Sequence, residues 1–124
     1  MKDNPDVLLV EDDPDQILLY STKFELEDLR TIGARRGKDA LVVAKSQQPK
    51  IILLDLVMPD MDGIEVLRQL KKNKKTRDIP VWIFSNLTKD STIAQAKKLG
   101  AKEYIVKAQI DPNKLVEKIK SMLK

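Results

Sequence analysis

The sequence predicts an α/β fold in which a five-stranded parallel sheet carries helices on both faces. Short apolar runs alternate strictly with longer amphipathic segments along all 124 residues. This alternation is typical of βαβ units joined by right-handed crossovers. The apolar runs are mostly unbroken, as expected for strands that are buried on both faces. The length fits one domain, so we expect residues 1–124 to fold as a single unit.

The first strand and helix lie near the amino terminus. Val7–Val10 is an apolar run that leads into acidic residues, and Pro14 then opens a helix predicted to continue to about Glu27. Asp13 is a suitable N-cap for this helix, and Gln16 is placed to complete a capping box. The predicted inward face of the helix comprises Ile17, Leu18, Tyr20, Ser21 and Phe24.

The second and third strand–helix pairs are separated by a proline. A short strand is predicted over residues 30–34 and a helix over 38–48. Pro49 ends that helix, because proline cannot continue the helical hydrogen bonds. Residues 51–55 are an apolar run closed by an aspartate, and a loop with proline and glycine follows. Apolar residues at helical spacing then predict a helix over about 63–73.

The last two pairs carry clear turn and cap signals. Residues 81–85 form another apolar strand. Either Thr88 or Asp90 can cap the fourth helix, and Gly100 is placed to end it. The fifth strand is predicted over 104–107. The cap signal and apolar stripe of the last helix are Asp111, Pro112, Leu115, Val116, Ile119, Met122 and Leu123.

The composition excludes several classes of chemistry. The chain has no cysteine and no histidine, so it cannot form a disulfide, a thiolate or histidine zinc site, or a Ser-His-Asp triad. No apolar run is long enough to span a bilayer, and the polar start is unlike a signal peptide. We therefore expect a cytoplasmic protein without a membrane partner.

The net charge of +4 does not by itself indicate a nucleic-acid partner. Part of the basic excess lies in one segment, residues 71–77, and part near the carboxyl terminus. Aromatic residues make up only 4% of the chain, and none is interleaved with the basic residues for stacking on bases. We interpret the basic residues as a solvated surface, and we expect no direct binding to DNA.

Complementary polar side chains stand at the ends of four predicted strands. Glu11 and Asp12 follow the first, Asp55 ends the third, Ser85 ends the fourth and Lys107 ends the fifth. The carboxyl ends of parallel strands meet at one edge of a sheet, where ligands bind. Converging carboxylates repel each other and raise one another's pKa. A cation must relieve this repulsion, either the lysine or a divalent ion such as Mg²⁺, which prefers hard oxygen ligands.

This set of side chains supports the transfer of a phosphoryl group to a carboxylate. Asp55 would be the nucleophile, and Mg²⁺ would neutralise the phosphoryl oxygens. Ser85 and Lys107 would bind the remaining oxygens. A phosphoryl dianion would draw both side chains inward and so bias a two-state structural element.

An acidic pair, an Asp-x-x-Met-Pro-x-x-Asp-Gly segment, a serine and a lysine occur together as Glu11-Asp12, Asp55–Gly63, Ser85 and Lys107. With this combination, the chain resembles the CheY-like receiver domain of two-component response regulators over essentially its whole length. Each motif alone is weak, but the combination is highly specific. The resemblance implies a flavodoxin-like (βα)5 fold with strand order 2-1-3-4-5.

The resemblance also implies roles for individual residues. Asp55 would be the phosphoacceptor, assisted by Ser85 and Lys107. The implied Mg²⁺ site comprises Glu11 acting through water, Asp12, Asp55 and the main-chain carbonyl of Val57. Tyr104 matches the aromatic switch position that moves with the serine; ordinary packing at the strand edge is the alternative for this residue.

Partners follow from the resemblance as well. A sensor histidine kinase or phosphotransfer protein would supply the phosphoryl group. The output surface would be the face formed by the fourth helix, fifth strand and fifth helix, in a monomer or a phosphorylation-dependent dimer. We expect a stand-alone signalling module rather than an enzyme, although it would catalyse its own phosphorylation and dephosphorylation.

The chain departs from the family pattern at two positions. Asn86 follows the serine where a small residue is usual, and Ala108 follows the lysine where proline is usual. We expect a trans bond before Ala108, because a non-proline cis bond costs roughly 3 kcal/mol. Val57 and Leu87 flank the site, and we expect them to shield an acyl phosphate from water.

Three other functions are open to the sequence. Asp13-x-Asp15 could be the motif of a haloacid-dehalogenase-type phosphatase, but Gln16 and Ile17 follow where that motif continues to a threonine or serine. The chain could also be the receiver part of a longer DNA-binding regulator. It could finally be a receiver-like interaction domain that is never phosphorylated, which the intact acids, serine and lysine disfavour.

Overall fold

The computed structural model describes residues 4–124 and contains the predicted five-stranded parallel sheet in the order β2-β1-β3-β4-β5. The strands are β1 (Val7–Val10), β2 (Thr31–Ala34), β3 (Ile51–Leu54), β4 (Val81–Ser85) and β5 (Glu103–Val106). The helices are α1 (Pro14–Leu26), α2 (Gly37–Gln47), α3 (Gly63–Lys72), α4 (Asp90–Lys98) and α5 (Pro112–Leu123). A short 3₁₀ turn, Lys107–Gln109, lies between β5 and α5.

Two apolar cores explain the unbroken apolar strands. In β1, Leu8 and Val10 face one core, whereas Val7 and Leu9 face the other. Helices α2, α3 and α4 cover the first face, and α1 and α5 cover the second. Every side chain of β1 is therefore removed from water, and this burial of apolar surface is the main stabilising contribution to the fold.

Two strands end one residue earlier than predicted. Asp55 lies just beyond β3, although its N–H still donates to the carbonyl of Val10 at 3.0 Å. Lys107 lies just beyond β5 and begins the 3₁₀ turn. Both side chains therefore stand at the rim of the sheet on backbone that the sheet still holds.

Some of the predicted caps form and others do not. Asp13 caps α1 by accepting the N–H of Asp15 at 2.9 Å, and Asp111 caps α5 by accepting the N–H of Asn113 at 2.7 Å. The prediction that Thr88 or Asp90 caps α4 is wrong, since the N-cap residue is Lys89 and its side chain makes no capping bond. Gly100 follows α4 with φ +110°, a conformation that glycine adopts without strain.

The predicted inward face of α1 is partly wrong. Phe24 is buried and Ile17 and Tyr20 pack against the core, but Leu18 is 67% exposed. Leu18 lies about 100° around the helix from Ile17 and so points away from the sheet. Together with Leu19 and Leu26 it forms an exposed apolar strip. Among residues 4–124, no helix has the length and apolar character needed to cross a membrane.

Candidate functional site

The predicted site residues meet at the carboxyl edge of the sheet. The β1–β3 ladder ends at the pair Val10 and Leu54, and the β4–β5 ladder ends at Ser85 and Val106. The residues that follow these strands are therefore neighbours in space. They surround an open cavity of about 470 Å³, lined by Glu11, Asp12, Asp13, Gln16, Asp55, Val57, Ser85, Asn86, Leu87 and Lys107.

The ammonium group of Lys107 occupies the centre of this cluster. Its Nζ donates to Oδ2 of Asp55 at 3.0 Å and to Oε1 of Gln16 at 2.8 Å, and it also donates to Oε1 of Glu11. An ammonium has three donors, so these acceptors use all of them. The Lys107 side chain is only 8% exposed. The sequence argument is confirmed here in one respect: this lysine is a counter-charge for the converging carboxylates.

Burial and the contacts between opposite charges have opposing effects on the pKa values of this cluster. Desolvation raises the pKa of Glu11, and the hydrogen bond from Lys107 only partly opposes that rise. Burial also disfavours the ammonium of Lys107, but the hydrogen bonds to Glu11 and Asp55 and the negative charges of both carboxylates together outweigh burial and raise its pKa above the ordinary 10.5. Lys107 therefore remains charged at neutral pH.

Three carboxylates lie close enough together to share a cation. Glu11, Asp12 and Asp55 each offer an oxygen within 4.8 Å of the others. Glu11 and Asp55 are buried, whereas Asp12 is partly exposed. A small set of hard oxygen donors in an open cavity fits Mg²⁺, which keeps several of its waters.

Both oxygens of Asp55 have defined partners. Oδ1 accepts the N–H of Val57 at 3.0 Å, and Oδ2 accepts from Lys107. Gly63 packs against the loop that makes this possible, because its N–H donates to the carbonyl of Leu56 at 3.1 Å. A Cβ at Gly63 would lie 2.3 Å from the Cα of Leu56. The carboxylate is thus fixed by its own loop and by the lysine.

The two predicted switch residues both contact Leu87. Oγ of Ser85 accepts the N–H of Leu87 at 3.3 Å, and the hydroxyl of Tyr104 donates to the Leu87 carbonyl at 2.5 Å. Burial, together with the charge of Asp55, raises the pKa of Tyr104, so the phenol stays a neutral donor. Ser85 and Tyr104 are therefore connected through one residue of the β4–α4 loop.

The sequence analysis did not predict the site roles of two residues. Gln16 was expected to complete a capping box, but its side-chain oxygen accepts from Lys107 instead. Asn86 was noted only as a departure from the family pattern, yet its Oδ1 accepts the N–H of Ala108 at 2.8 Å. The position of Gln16, in the first turn of α1 and shortly after the acidic pair, was the available signal for its role.

Asp60 lies in the loop after Asp55 and fixes that loop. Its carboxylate accepts the N–H groups of Gly37 at 3.0 Å and Lys38 at 3.3 Å, and these bonds hold its pKa below the usual range. Asp60 therefore caps α2, whose own N-cap residue, Arg36, makes no side-chain cap bond. The loop after Asp55 is anchored to α2 in this way.

Two remaining expectations can be compared with the structure. The described residues contain no cis peptide bond, so the bond before Ala108 is trans as predicted. Asp13 lines the cavity and caps α1, whereas Asp15 lies on the exposed first turn of that helix. The phosphatase-type pair of aspartates is thus not brought to one site.

Comparison with known proteins gives consistent matches. The family model described as the response regulator receiver domain matches residues 7–120. Protein PilH of Pseudomonas aeruginosa is 29% identical over 117 residues, which cover 94% of this chain and 96% of PilH. The polar-differentiation response regulator DivK of Brucella ovis is 32% identical over 117 residues, 94% of each protein.

A solved structure agrees with these relatives. The receiver domain of the Francisella response regulator 1452 has a TM-score of 0.84 and 30% identity, with 96% of each chain covered. Other curated relatives are longer, and the chain spans 48%, 23% and 25% of three of them. The similarity to those proteins concerns one portion of each.

Proposed function

We propose that this chain, which belongs to the response regulator receiver family and is a receiver domain of two-component signalling, accepts a phosphoryl group on Asp55. The observation that carries the proposal is the fixed Asp55 carboxylate. One oxygen accepts the Val57 N–H and the other accepts from Lys107, in a cavity beside two further acids. A nucleophile held at a sheet edge beside a cation is suited to in-line attack on phosphorus.

The reaction would be a displacement at phosphorus. A carboxylate oxygen of Asp55 forms a bond to the phosphorus atom of a phosphohistidine, and the P–N bond to the histidine breaks. The nitrogen leaves with the electron pair of that bond, and an acyl phosphate remains on Asp55. The donor would be a sensor histidine kinase or a phosphotransfer protein. The same site would later admit water, and in this sense the domain would catalyse its own phosphorylation and dephosphorylation.

Receiver domains generally bind Mg²⁺ at an acidic pocket, and the acids of this chain fit that ion. Asp12 and Asp55 would bind it directly and Glu11 through water, with the main-chain carbonyl of Val57 as a further ligand. When bound, Mg²⁺ supplies positive charge that offsets the charge on the phosphoryl oxygens. Lys107 and the hydroxyl of Ser85 would bind the oxygens that the ion leaves free.

The output would begin at Leu87. A phosphoryl group that accepts from the Ser85 hydroxyl would change the contact between Ser85 and the Leu87 N–H, and Tyr104 holds the other side of Leu87. Movement of this loop would reach α4 and β5. We propose the α4–β5–α5 face as the output surface of one receiver domain over residues 1–124, acting as a monomer or a phosphorylation-dependent dimer. A direct DNA contact and a membrane partner are not expected.

Intact-mass spectrometry after incubation with Mg²⁺ and acetyl phosphate tests this function. We expect a gain of one phosphoryl group that requires Mg²⁺ and is absent in Asp55→Asn. An Asp111→Asn variant is the matched control, since asparagine can still cap α5 and this residue lies outside the cavity. No gain in the wild type under these conditions, or an undiminished gain in Asp55→Asn, would contradict the proposal.

A further inference from the structure

Two loops of the site are joined by one side chain. Asn86, in the β4–α4 loop, accepts the N–H of Ala108, in the β5–α5 loop, at 2.8 Å through its Oδ1. The two residues are 22 positions apart in the sequence. We call this contact the Asn86–Ala108 clasp.

The chemistry of both positions is necessary for the clasp. The first N–H groups of a helical turn have no acceptor within that turn, and Ala108 lies inside the short turn Lys107–Gln109. A proline at 108 would have no N–H to donate, and an alanine at 86 would have no side-chain acceptor. The two departures from the family pattern, at 86 and 108, are therefore the two halves of a single hydrogen bond.

The clasp joins the two residues that directly follow Ser85 and Lys107, which would hold the phosphoryl group. Asn86 directly follows Ser85 and precedes Leu87, the residue that contacts both Ser85 and Tyr104. Ala108 directly follows Lys107, whose ammonium binds Asp55. A movement of either loop by more than a fraction of an ångström must stretch the clasp or carry the other loop with it.

We propose that Asn86 is a positioning residue that makes Ser85 and Lys107 act on the phosphoryl group as one unit. The proposal rests on the proposed function, because the phosphoryl group on Asp55 is what draws the two side chains inward. The clasp fixes the backbone on both sides of the cavity, so that Lys107 is placed in advance of the reaction.

Amide hydrogen exchange tests the clasp itself, without phosphorylation. In Asn86→Ala, exchange at the Ala108 amide should become about five-fold faster, as expected for loss of a typical net hydrogen bond. Asn86→Asp retains an acceptor and should keep the slow exchange. The Ala101 amide, which donates to Ala96, is the internal reference. Equal exchange at Ala108 in all three proteins overturns the proposal.

Phosphorylation kinetics test the positioning role. With Mg²⁺ and acetyl phosphate, Asn86→Ala should gain the phosphoryl group up to about five-fold more slowly than the wild type. In NMR spectra, the amide chemical shifts of Leu87 and Ala108 should both change when the wild type is phosphorylated. In Asn86→Ala, the shift change at Ala108 should be smaller. Asn113→Ala is the matched control, because Asn113 is exposed and its side chain makes no hydrogen bond within residues 4–124.

The outcomes separate the two proposals. A wild type that is phosphorylated on Asp55, beside an Asn86→Ala variant with the same rate and the same paired shift changes, overturns the clasp proposal alone. A wild type that gains no phosphoryl group overturns both proposals. A slower variant with a reduced Ala108 response, beside a normal Asn113→Ala control, supports the positioning role.

Discussion

Replacement of Lys107 by methionine removes the charge at the centre of the site while keeping an apolar stem of similar length. The Lys107 side chain is 8% exposed, and those of Glu11 and Asp55 are 4% and 10% exposed. Removing one partner of a buried ion pair costs roughly 3–5 kcal/mol, because it leaves the other charge buried and unpaired. We therefore expect Lys107→Met to lower the free energy of unfolding by about 3 kcal/mol without Mg²⁺.

The contribution of the nearby ring is smaller. Nζ of Lys107 lies 5.6 Å from the ring centroid of Phe84, a contact worth about 0.5–2 kcal/mol. Loss of the ion pair should therefore account for most of the decrease in the free energy of unfolding. Urea denaturation followed by circular dichroism at neutral pH would measure the change. The double variant Lys107→Met/Glu11→Gln should recover part of the loss, because it removes one of the unpaired carboxylates.

Added Mg²⁺ gives a second and independent readout. If the acids bind the ion in the folded state only, it stabilises the protein by RT ln(1 + [Mg²⁺]/Kd), about 2.7 kcal/mol at a hundred-fold excess over Kd. The gain should be larger in Lys107→Met than in the wild type, since no ammonium competes for Glu11 and Asp55. If the free energy of unfolding of Lys107→Met without Mg²⁺ lay within about 0.5 kcal/mol of the wild-type value, as for an ordinary surface substitution, the counter-charge role of Lys107 would be refuted.

Three further predictions concern the loop, the phosphoryl lifetime and the tyrosines. Gly63→Ala should destabilise the fold by about 1–3 kcal/mol, measured by thermal unfolding, because its Cβ would collide with Leu56 backbone. Val57→Asn should speed loss of the phosphoryl group, followed by intact mass after donor removal; an unchanged lifetime would argue against shielding. Burial raises the pKa of Tyr20 and Tyr104 above the ordinary 10.0, so the near-ultraviolet phenolate signal should appear at higher pH than in unfolded chains. The stability that these neutral phenols contribute is present below the ordinary tyrosine pKa and is lost as the pH rises through the raised pKa of the folded protein. Titration of both tyrosines at or below pH 10.0 in the folded protein would contradict this prediction.

The sheet could be predicted because its strands are buried on both faces. Unbroken runs such as Ile51–Leu54 can only be strands or buried helix segments, and their short length between breakers decides for strands. The polar residues that end these strands then meet at one edge by topology alone. The proximity of Glu11, Asp12, Asp55 and Lys107 therefore followed from the sequence, before any distance was known.

The wrong predictions concern segments whose local sequence pattern is compatible with more than one structure. Gln16 fits a capping box, but its oxygen binds an ammonium that lies 91 positions away in the sequence. Residues 17–20 of α1 are apolar or aromatic on all sides, so the local pattern could not decide that Leu18 faces solvent. In α4, Thr88 and Asp90 are both plausible caps, but the helix begins at Asp90 and the residue between them, Lys89, is its N-cap. In each case, tertiary contacts determine which of the compatible structures forms.

The charges of the site give a reason why its parts would change together on phosphorylation. Three carboxylates and one ammonium leave an excess of two negative charges in a largely buried cluster, which a divalent cation would neutralise. Phosphorylation of Asp55 would replace one carboxylate charge by a phosphoryl group of roughly −2, so one negative charge would again lack a partner. Lys107 would move toward it, because its three donors can exchange Asp55 for phosphoryl oxygens while Gln16 and Glu11 hold the other side. Since the backbone after Lys107 is bound to Asn86, that exchange would be transmitted to the loop after Ser85.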